Sequence, residues 1–189
     1  MRKKRSIQTV LIGLIVMLLT VLQQKGYLQP AAEVAVQNQP GLYAVTEFSD
    51  GDTISVDMNG TAEKVRFIGV DTPETHDPRK NVQCYGEAAS AYTKQLIGKN
   101  LVRLEADPEN TNRDRYNRLL RYVYLPDNTM VNAELIKNGY GFAYTYFPFS
   151  KSDLFRGYEA EARNNNRGLW SSCPIVEKEN EQTSTGDAP

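Results

Sequence analysis

Three polar clusters in the chain carry residue types suited to chemistry at a phosphate. The first is Asp50-Gly51-Asp52-Thr53. The second is the run "VRFIGVDTPET" from Val65 to Thr75, and the third is "RDRYNR" from Arg113 to Arg118. Carboxylates such as Asp52 and Asp71 are hard oxygen ligands that select calcium or magnesium over softer metals. Such an ion polarises a phosphoryl oxygen. The planar fork of an arginine (Arg66, Arg118) fits phosphate oxygens and the charge that builds on them. A glutamate such as Glu74 can take a proton from water. Each cluster also has a plainer reading. "DGD" is ordinary turn chemistry, Arg66 can be a solvated strand charge, and Arg118 can simply pair with an acid. It is their combination that suits phosphodiester hydrolysis. One obstacle is geometric. Arg66 and Asp71 are five residues apart in what reads as one strand, which puts them on opposite faces unless a bulge or sharp bend intervenes.

What is missing narrows the chemistry. His76 is the sole histidine, so a two-histidine ribonuclease mechanism has no second partner. Zinc sites built on several His or Cys are excluded as well, and a Ser-His-Asp triad would have to use His76 inside a charged loop. No glycine-rich phosphate loop of the nucleoside-triphosphatase kind occurs. Formal net charge is −1, without the broad basic face of proteins that coat nucleic acid. Phosphate contact must therefore be local and specific.

The elements that would position these clusters are short. Leu42–Phe48, Thr53–Met58 and Glu63–Val70 read as three strands, the last two joined at the hairpin signal Asn59-Gly60. Gly86–Ile97 has helical spacing and ends at Gly98. Strands over Leu101–Ala106 and Leu120–Leu125 follow, then helices over Val131–Asn138 and Ser152–Asn166, with Ser152 as the expected N-cap. An α+β fold, mainly a small closed β-barrel with helices packed outside, accommodates that order; an oligonucleotide-binding barrel is one such fold. Pro73 stiffens the exit of the third strand, where carboxylates and a carbonyl need fixed directions.

The flanks differ in character. Arg2, Lys3, Lys4 and Arg5 precede an apolar run from Val10 to Leu22, which makes residues 1–26 a secretory signal peptide or a membrane anchor. Residues 27–41 read as a linker, 42–176 as the folded domain and 177–189 as a disordered polar tail. The expected address is extracellular, or tethered to the outer face of the cell membrane. The only two cysteines, Cys84 and Cys173, are expected to form a disulfide there; two buried thiols is the other reading.

Taken together, "DGDT", "RFIGVDTPET", "YGEAASAYTK", "DRYNRLLRYVY", "NAELIKNGY", "AYTYFP" and "EARNNNRGLW" make the stretch from about Leu42 to Trp170 resemble the staphylococcal nuclease (thermonuclease) family. The resemblance implies a five-stranded oligonucleotide-binding (OB) fold barrel with three helices. It also implies a calcium-dependent endonuclease that acts on DNA and RNA, single-stranded or denatured, and leaves 3′-phosphate ends. By position, Asp52 and Asp71 would ligate one Ca²⁺ through carboxylates and Thr72 through its carbonyl. Arg66, Glu74 and Arg118 would be catalytic. Lys80, Asp114, Arg115, Tyr116, Tyr144 and Tyr146 would meet substrate, the tyrosines by stacking on bases. A monomer is expected. One departure is Asn117, where the family has glycine; asparagine tolerates a left-handed backbone better than most residues. The alternative is a non-catalytic nucleic-acid or protein binding module on the same barrel. Occupancy of every catalytic and metal position by the expected residue type favours the enzyme.

Overall fold

The computed structural model describes residues 41–75, 81–177 and 183–188, together with Gly13, Met17, Leu18, Thr20 and Val21 of the N-terminal stretch. The chain divides into two units, Met1–Pro40 and Gly41–Pro189. The five described residues of the first unit are helical. Among the described residues no helix is long and apolar enough to cross a membrane. The rest of the expected leader, and the linker up to Pro40, lie outside the described residues.

The second unit is built on a closed five-stranded barrel in the order β1-β2-β3-β6-β5. β1 is Tyr43–Phe48, β2 Thr53–Met58, β3 Thr61–Phe67, β5 Leu101–Glu105 and β6 Leu119–Tyr124. The Asn59–Gly60 turn, with φ of 57° and 85°, joins β2 to β3 in the left-handed conformation that matches strand twist. β3 and β6 run parallel, Arg66 opposite Leu120, while the other barrel pairs are antiparallel. Inward-facing Ile54, Val56, Val65, Phe67, Val102, Leu119 and Val123 fill the barrel and are almost wholly buried. Each such side chain stabilises the fold by about 1.5–3 kcal/mol relative to exposure.

Three longer helices follow the expected spacing: α1 Gly86–Ile97, α2 Val131–Lys137 and α3 Ser152–Asn164. α3 stops earlier than expected, and a further short helix, α4, spans Leu169–Ser172. Ser152 lies inside the first turn of α3 rather than capping it; Lys151 occupies the N-cap position and makes no side-chain cap.

The third strand is not continuous to Val70. It breaks at Ile68-Gly69 and resumes as β4, Val70–Asp71, which leaves the barrel and pairs with β7, Phe142–Ala143. Gly69 has a φ of +72° and lies against Phe149 and Phe155; a Cβ there would come within 2.6 Å of the Phe149 ring. Neither the backbone nor the space admits another residue. The buried side chain of Asn132 on α2 fills the gap in the ladder that the break opens. Its amide donates to the carbonyls of Ile68 (2.9 Å) and Arg121 (3.2 Å), and its oxygen accepts from the Val123 amide (2.8 Å). Buried backbone groups left without such a partner would each cost about 1–3 kcal/mol.

Of the segment 177–189, expected as a disordered polar tail, Glu177 and residues 183–188 are described. β8, Ile175–Glu177, and β9, Thr183–Thr185, form an antiparallel hairpin. Composition alone argues against order here, because the tail has almost no apolar side chain to bury. Two other devices hold it. Cys84 and Cys173 form a disulfide with Cα atoms 5.9 Å apart. The backbone of residues 185–188 also pairs with residues 82–84: the Cys84 amide donates to the Gly186 carbonyl (2.8 Å) and the Ala188 amide to the Val82 carbonyl (2.8 Å).

Candidate active site

The break at Gly69 removes the geometric obstacle posed by the odd spacing. It turns β4 so that Asp71 reaches the same point as Arg66. One guanidinium nitrogen of Arg66 pairs with Asp52 Oδ1, and the other donates to Asp71 Oδ1 at 2.7 Å. Two carboxylates thus converge on a single cation. The Asp52 side chain is 5% exposed, that of Arg66 15% and that of Asp71 43%. The site is therefore walled on the Asp52 side and open to solvent on the Asp71 side.

Asp52 is fixed from several directions. Its Oδ2 accepts hydrogen bonds from the Thr72 amide (2.7 Å) and the Thr72 hydroxyl (3.0 Å), while the Thr53 hydroxyl donates to Oδ1 (3.2 Å). Its own carbonyl accepts from the Phe67 amide (2.9 Å). The Asp50–Asp52 turn lies so close to Thr72 that a Cβ at Gly51 would sit 2.8 Å from the threonine side chain. The buried hydroxyl of Thr93 on α1 grips the Gly51 carbonyl at 2.6 Å. Asp50-Gly51-Asp52 is thus more than a turn: it is pressed onto the Asp71-Thr72 segment and presents a carboxylate to it.

Glu74 lies two residues beyond Thr72. Its amide donates to the side-chain oxygen of Gln83 (2.7 Å), its carbonyl accepts from the Gln83 amide (2.9 Å), and its carboxylate accepts from the Thr75 amide (2.9 Å). Gln83 gave no signal in the sequence, since a glutamine between a polar loop and a helix has no characteristic spacing. Lys80 and most of the loop around it lie outside the described residues.

The Arg113–Arg118 loop enters β6 two residues ahead of Leu120, the register partner of Arg66. Its core is Asp114. One carboxylate oxygen accepts from the amides of Tyr116 and Arg118, both at 2.9 Å, and the other from the Arg118 guanidinium at 2.7 Å. Burial raises the Asp114 pKa, but these bonds from Arg118 and Tyr116 outweigh it and hold the carboxyl below its ordinary value. Asp114 was expected among the substrate contacts. In this structure both its oxygens accept bonds from its own loop, the Arg118 guanidinium among the donors. Asn117 has a φ of 64°, the left-handed conformation that a glycine would adopt there. Tyr116 is exposed, with the guanidinium carbons of Arg115 and Arg118 at 4.8 and 5.3 Å from its ring centre. Tyr144 and Tyr146 stand outside the barrel core with Phe147, ring centres 5.0–6.4 Å apart. The Tyr144 amide donates to the Gly69 carbonyl (2.9 Å), so this aromatic group is anchored to the same turn that aims Asp71.

A model of the family described as "Staphylococcal nuclease homologue" matches residues 64–172. The chain belongs to the staphylococcal nuclease family. It is 43% identical to "Endonuclease YncB" of Bacillus subtilis over 152 residues, covering 78% of this chain and 71% of that protein. It is 44% identical to the "Thermonuclease" of Staphylococcus intermedius over 129 residues (68% and 75% of the two chains). The "Thermonuclease" of Staphylococcus hyicus is 40% identical over 131 residues (69% and 76%). As a member of this family the chain is an enzyme, a phosphodiesterase of the micrococcal nuclease type, and its barrel with outer helices is the family's OB-fold.

Proposed function

We propose that the protein is a calcium-dependent endonuclease that hydrolyses phosphodiester bonds of single-stranded or denatured DNA and RNA, leaves 3′-phosphate ends, and works as a monomer outside the cytoplasm. The observation that carries this reading is the convergence of Asp52 and Asp71 on one cationic point beside Thr72. The donors are all hard oxygens, anionic and partly open to solvent, and they fit a divalent cation such as calcium, which accepts irregular oxygen sites. Among the described residues no group of three or more Asp, Glu, His or Cys side chains gathers. The ion would therefore be held by Asp52, Asp71 and the Thr72 carbonyl, with water and substrate completing its shell. Bound there, it supplies Lewis-acid polarisation of a phosphoryl oxygen.

The chain's own residues account for the remaining chemistry. Glu74 takes a proton from the attacking water. Arg66 offers its fork to the phosphate, and Arg118 does so from the loop that leads into β6. Tyr116, Tyr144 and Tyr146 present aromatic faces on which bases stack whatever their sequence, consistent with an unspecific enzyme that lacks a basic binding face. The disulfide supports an oxidising compartment.

The test is digestion of heat-denatured DNA and of RNA by the purified protein in calcium and in excess chelator. Product ends are then assayed as polymerase primers before and after phosphatase treatment. Calcium-dependent cleavage, with primers active only after phosphatase, is expected. Undiminished cleavage in chelator, or ends that prime directly, would overturn the proposal.

A further inference from the structure

The paired C-terminal segment lies along residues 81–84, and that stretch adjoins Glu74. Residues 82–84 form the limb that leads from the loop after Thr75 into α1. On one side this limb grips Glu74 through both main-chain groups: Gln83 Oε1 accepts from the Glu74 amide, and the Gln83 amide donates to the Glu74 carbonyl. On its other side it is paired along its length with residues 185–188. Besides the two main-chain bonds already described, the buried hydroxyl of Thr185 donates to the Cys84 carbonyl (2.7 Å). Asn81 Nδ2 donates to Asp187 Oδ2 (2.8 Å), and Gln83 Nε2 reaches the Thr185 carbonyl (3.5 Å). The Gly186 amide returns to the Pro174 carbonyl (3.0 Å), next to the cysteine bonded to Cys84. The limb is thus the middle layer of a stack with Glu74 inside it and the C-terminal strand outside.

Resting on the nuclease reading above, we propose that Gln83 and the C-terminal strand Thr183–Ala188 act as a positioning strap for Glu74. The strap supplies the backbone partners that a polar loop segment otherwise finds only in water, so the carboxylate is held where it meets the attacking water. Catalytic groups misplaced by about 1 Å can lose roughly a hundredfold in rate. A strap that removes part of such freedom acts on turnover rather than on substrate affinity, since the Gln83 side chain is committed to the Glu74 amide and the Thr185 carbonyl. Order in the tail is thereby linked to catalysis, and tail cleavage or disulfide reduction becomes a means of lowering activity without dismantling the barrel.

The experiment compares the intact protein with Gln83→Ala, Gln83→Glu and a chain ending at Gln182. Measurements are kcat and KM on denatured DNA, the melting temperature, and hydrogen exchange at the Glu74 amide. Gln83→Ala and the shortened chain are expected to lose roughly tenfold in kcat with KM within about twofold, to melt cooperatively well above the assay temperature, and to exchange the Glu74 amide faster. Gln83→Glu keeps the acceptor for the Glu74 amide and is expected to retain most of the turnover. Unchanged kcat in both Gln83→Ala and the shortened chain overturns the strap. So does an activity loss that tracks the unfolded fraction, or equal impairment by Gln83→Glu and Gln83→Ala. If the intact protein itself does not cleave DNA, the nuclease reading fails instead, and the exchange rates still report on the strap.

Discussion

Replacing Arg66 by methionine keeps most of the aliphatic stem and removes the charge shared by Asp52 and Asp71. The consequence for stability can be worked from the site. Asp52 is nearly buried and would keep its bonds from Thr72 and Thr53 but lose its ion pair; Asp71, half exposed, would lose its 2.7 Å partner and regain water. Exposed pairs contribute at most about 1 kcal/mol, so Asp71 matters little. Breaking a buried pair from one side costs about 3–5 kcal/mol, and Asp52 is firmly in that class, softened by its remaining donors. In chelator Arg66→Met is therefore expected to be less stable than the parent by about 3 kcal/mol. Calcium should close much of that gap. The vacated carboxylates no longer have a competing guanidinium, and a ligand at a hundred times its Kd stabilises the folded state by about 2.7 kcal/mol. Urea unfolding followed by fluorescence of the single tryptophan, Trp170, in chelator and in calcium, gives all four numbers. Equal stability of the two proteins in chelator would refute the buried-pair argument. A calcium effect no larger in the variant than in the parent would refute the idea that guanidinium and metal compete for one site.

Three further outcomes are expected. Arg118→Ala should lower kcat by about two to three orders of magnitude with little change in melting temperature, because Asp114 keeps its bonds from the Tyr116 and Arg118 amides; near-normal turnover would remove Arg118 from the chemistry. Asn117→Gly should leave stability unchanged or slightly raised, whereas Asn117→Val should cost about 1–2 kcal/mol in urea unfolding, since a β-branched residue is strained at φ 64°. For Asp107, burial acts to raise the carboxyl, but hydrogen bonds from Ser150, Tyr122 and the Glu109 amide outweigh it and hold the pKa below its ordinary value. Its contribution to stability is therefore present above the usual carboxylate range near pH 4 and fades as pH falls through the lowered folded value. Asp107→Asn should flatten the acid limb of the melting temperature measured between about pH 2 and 6, and an unchanged limb would exclude this carboxylate as a source of acid sensitivity.

Much of the barrel was legible because its signals are local. The alternation in Thr53–Met58, the Asn59-Gly60 turn and the glycine after α1 each act through neighbouring backbone. The candidate site was legible as residue types, and Asp52, Arg66, Asp71 and Thr72 do come together. How they do so was not visible. The bend at Gly69 is enforced by Phe149 and Phe155 and satisfied by Asn132, all distant in sequence. Asn132 carries no sequence signal of its own on α2, and only the backbone groups of Ile68, Arg121 and Val123 that it bonds explain it. The position of Asp114 in the motif suggested a substrate contact, and the bonds its oxygens accept from its own loop could not be read from that position. The pairing of residues 183–188 was not legible either, because hydrophobicity is a poor guide where a disulfide and main-chain hydrogen bonds hold a segment.

Barrel closure also determines when this enzyme becomes an enzyme. The β1-β2-β3 meander can form from adjacent hairpins, and with it Asp52 and Arg66 acquire their backbone. The strand pairs that close the ring are of another kind: Tyr43 opposite Val102, and Val65 opposite Leu119. Both join distant parts of the chain, and loop-closure entropy must be overcome before their contacts stabilise anything. Topologies dominated by such contacts fold on a timescale of roughly milliseconds to seconds. The parallel β3–β6 pairing brings the Arg118 loop alongside Arg66, and α2 can offer Asn132 to the Ile68 carbonyl only once β6 is seated. A chain that has folded only its local hairpins thus carries the residues of the site without the site, and nuclease competence arrives in the same cooperative step as the native barrel.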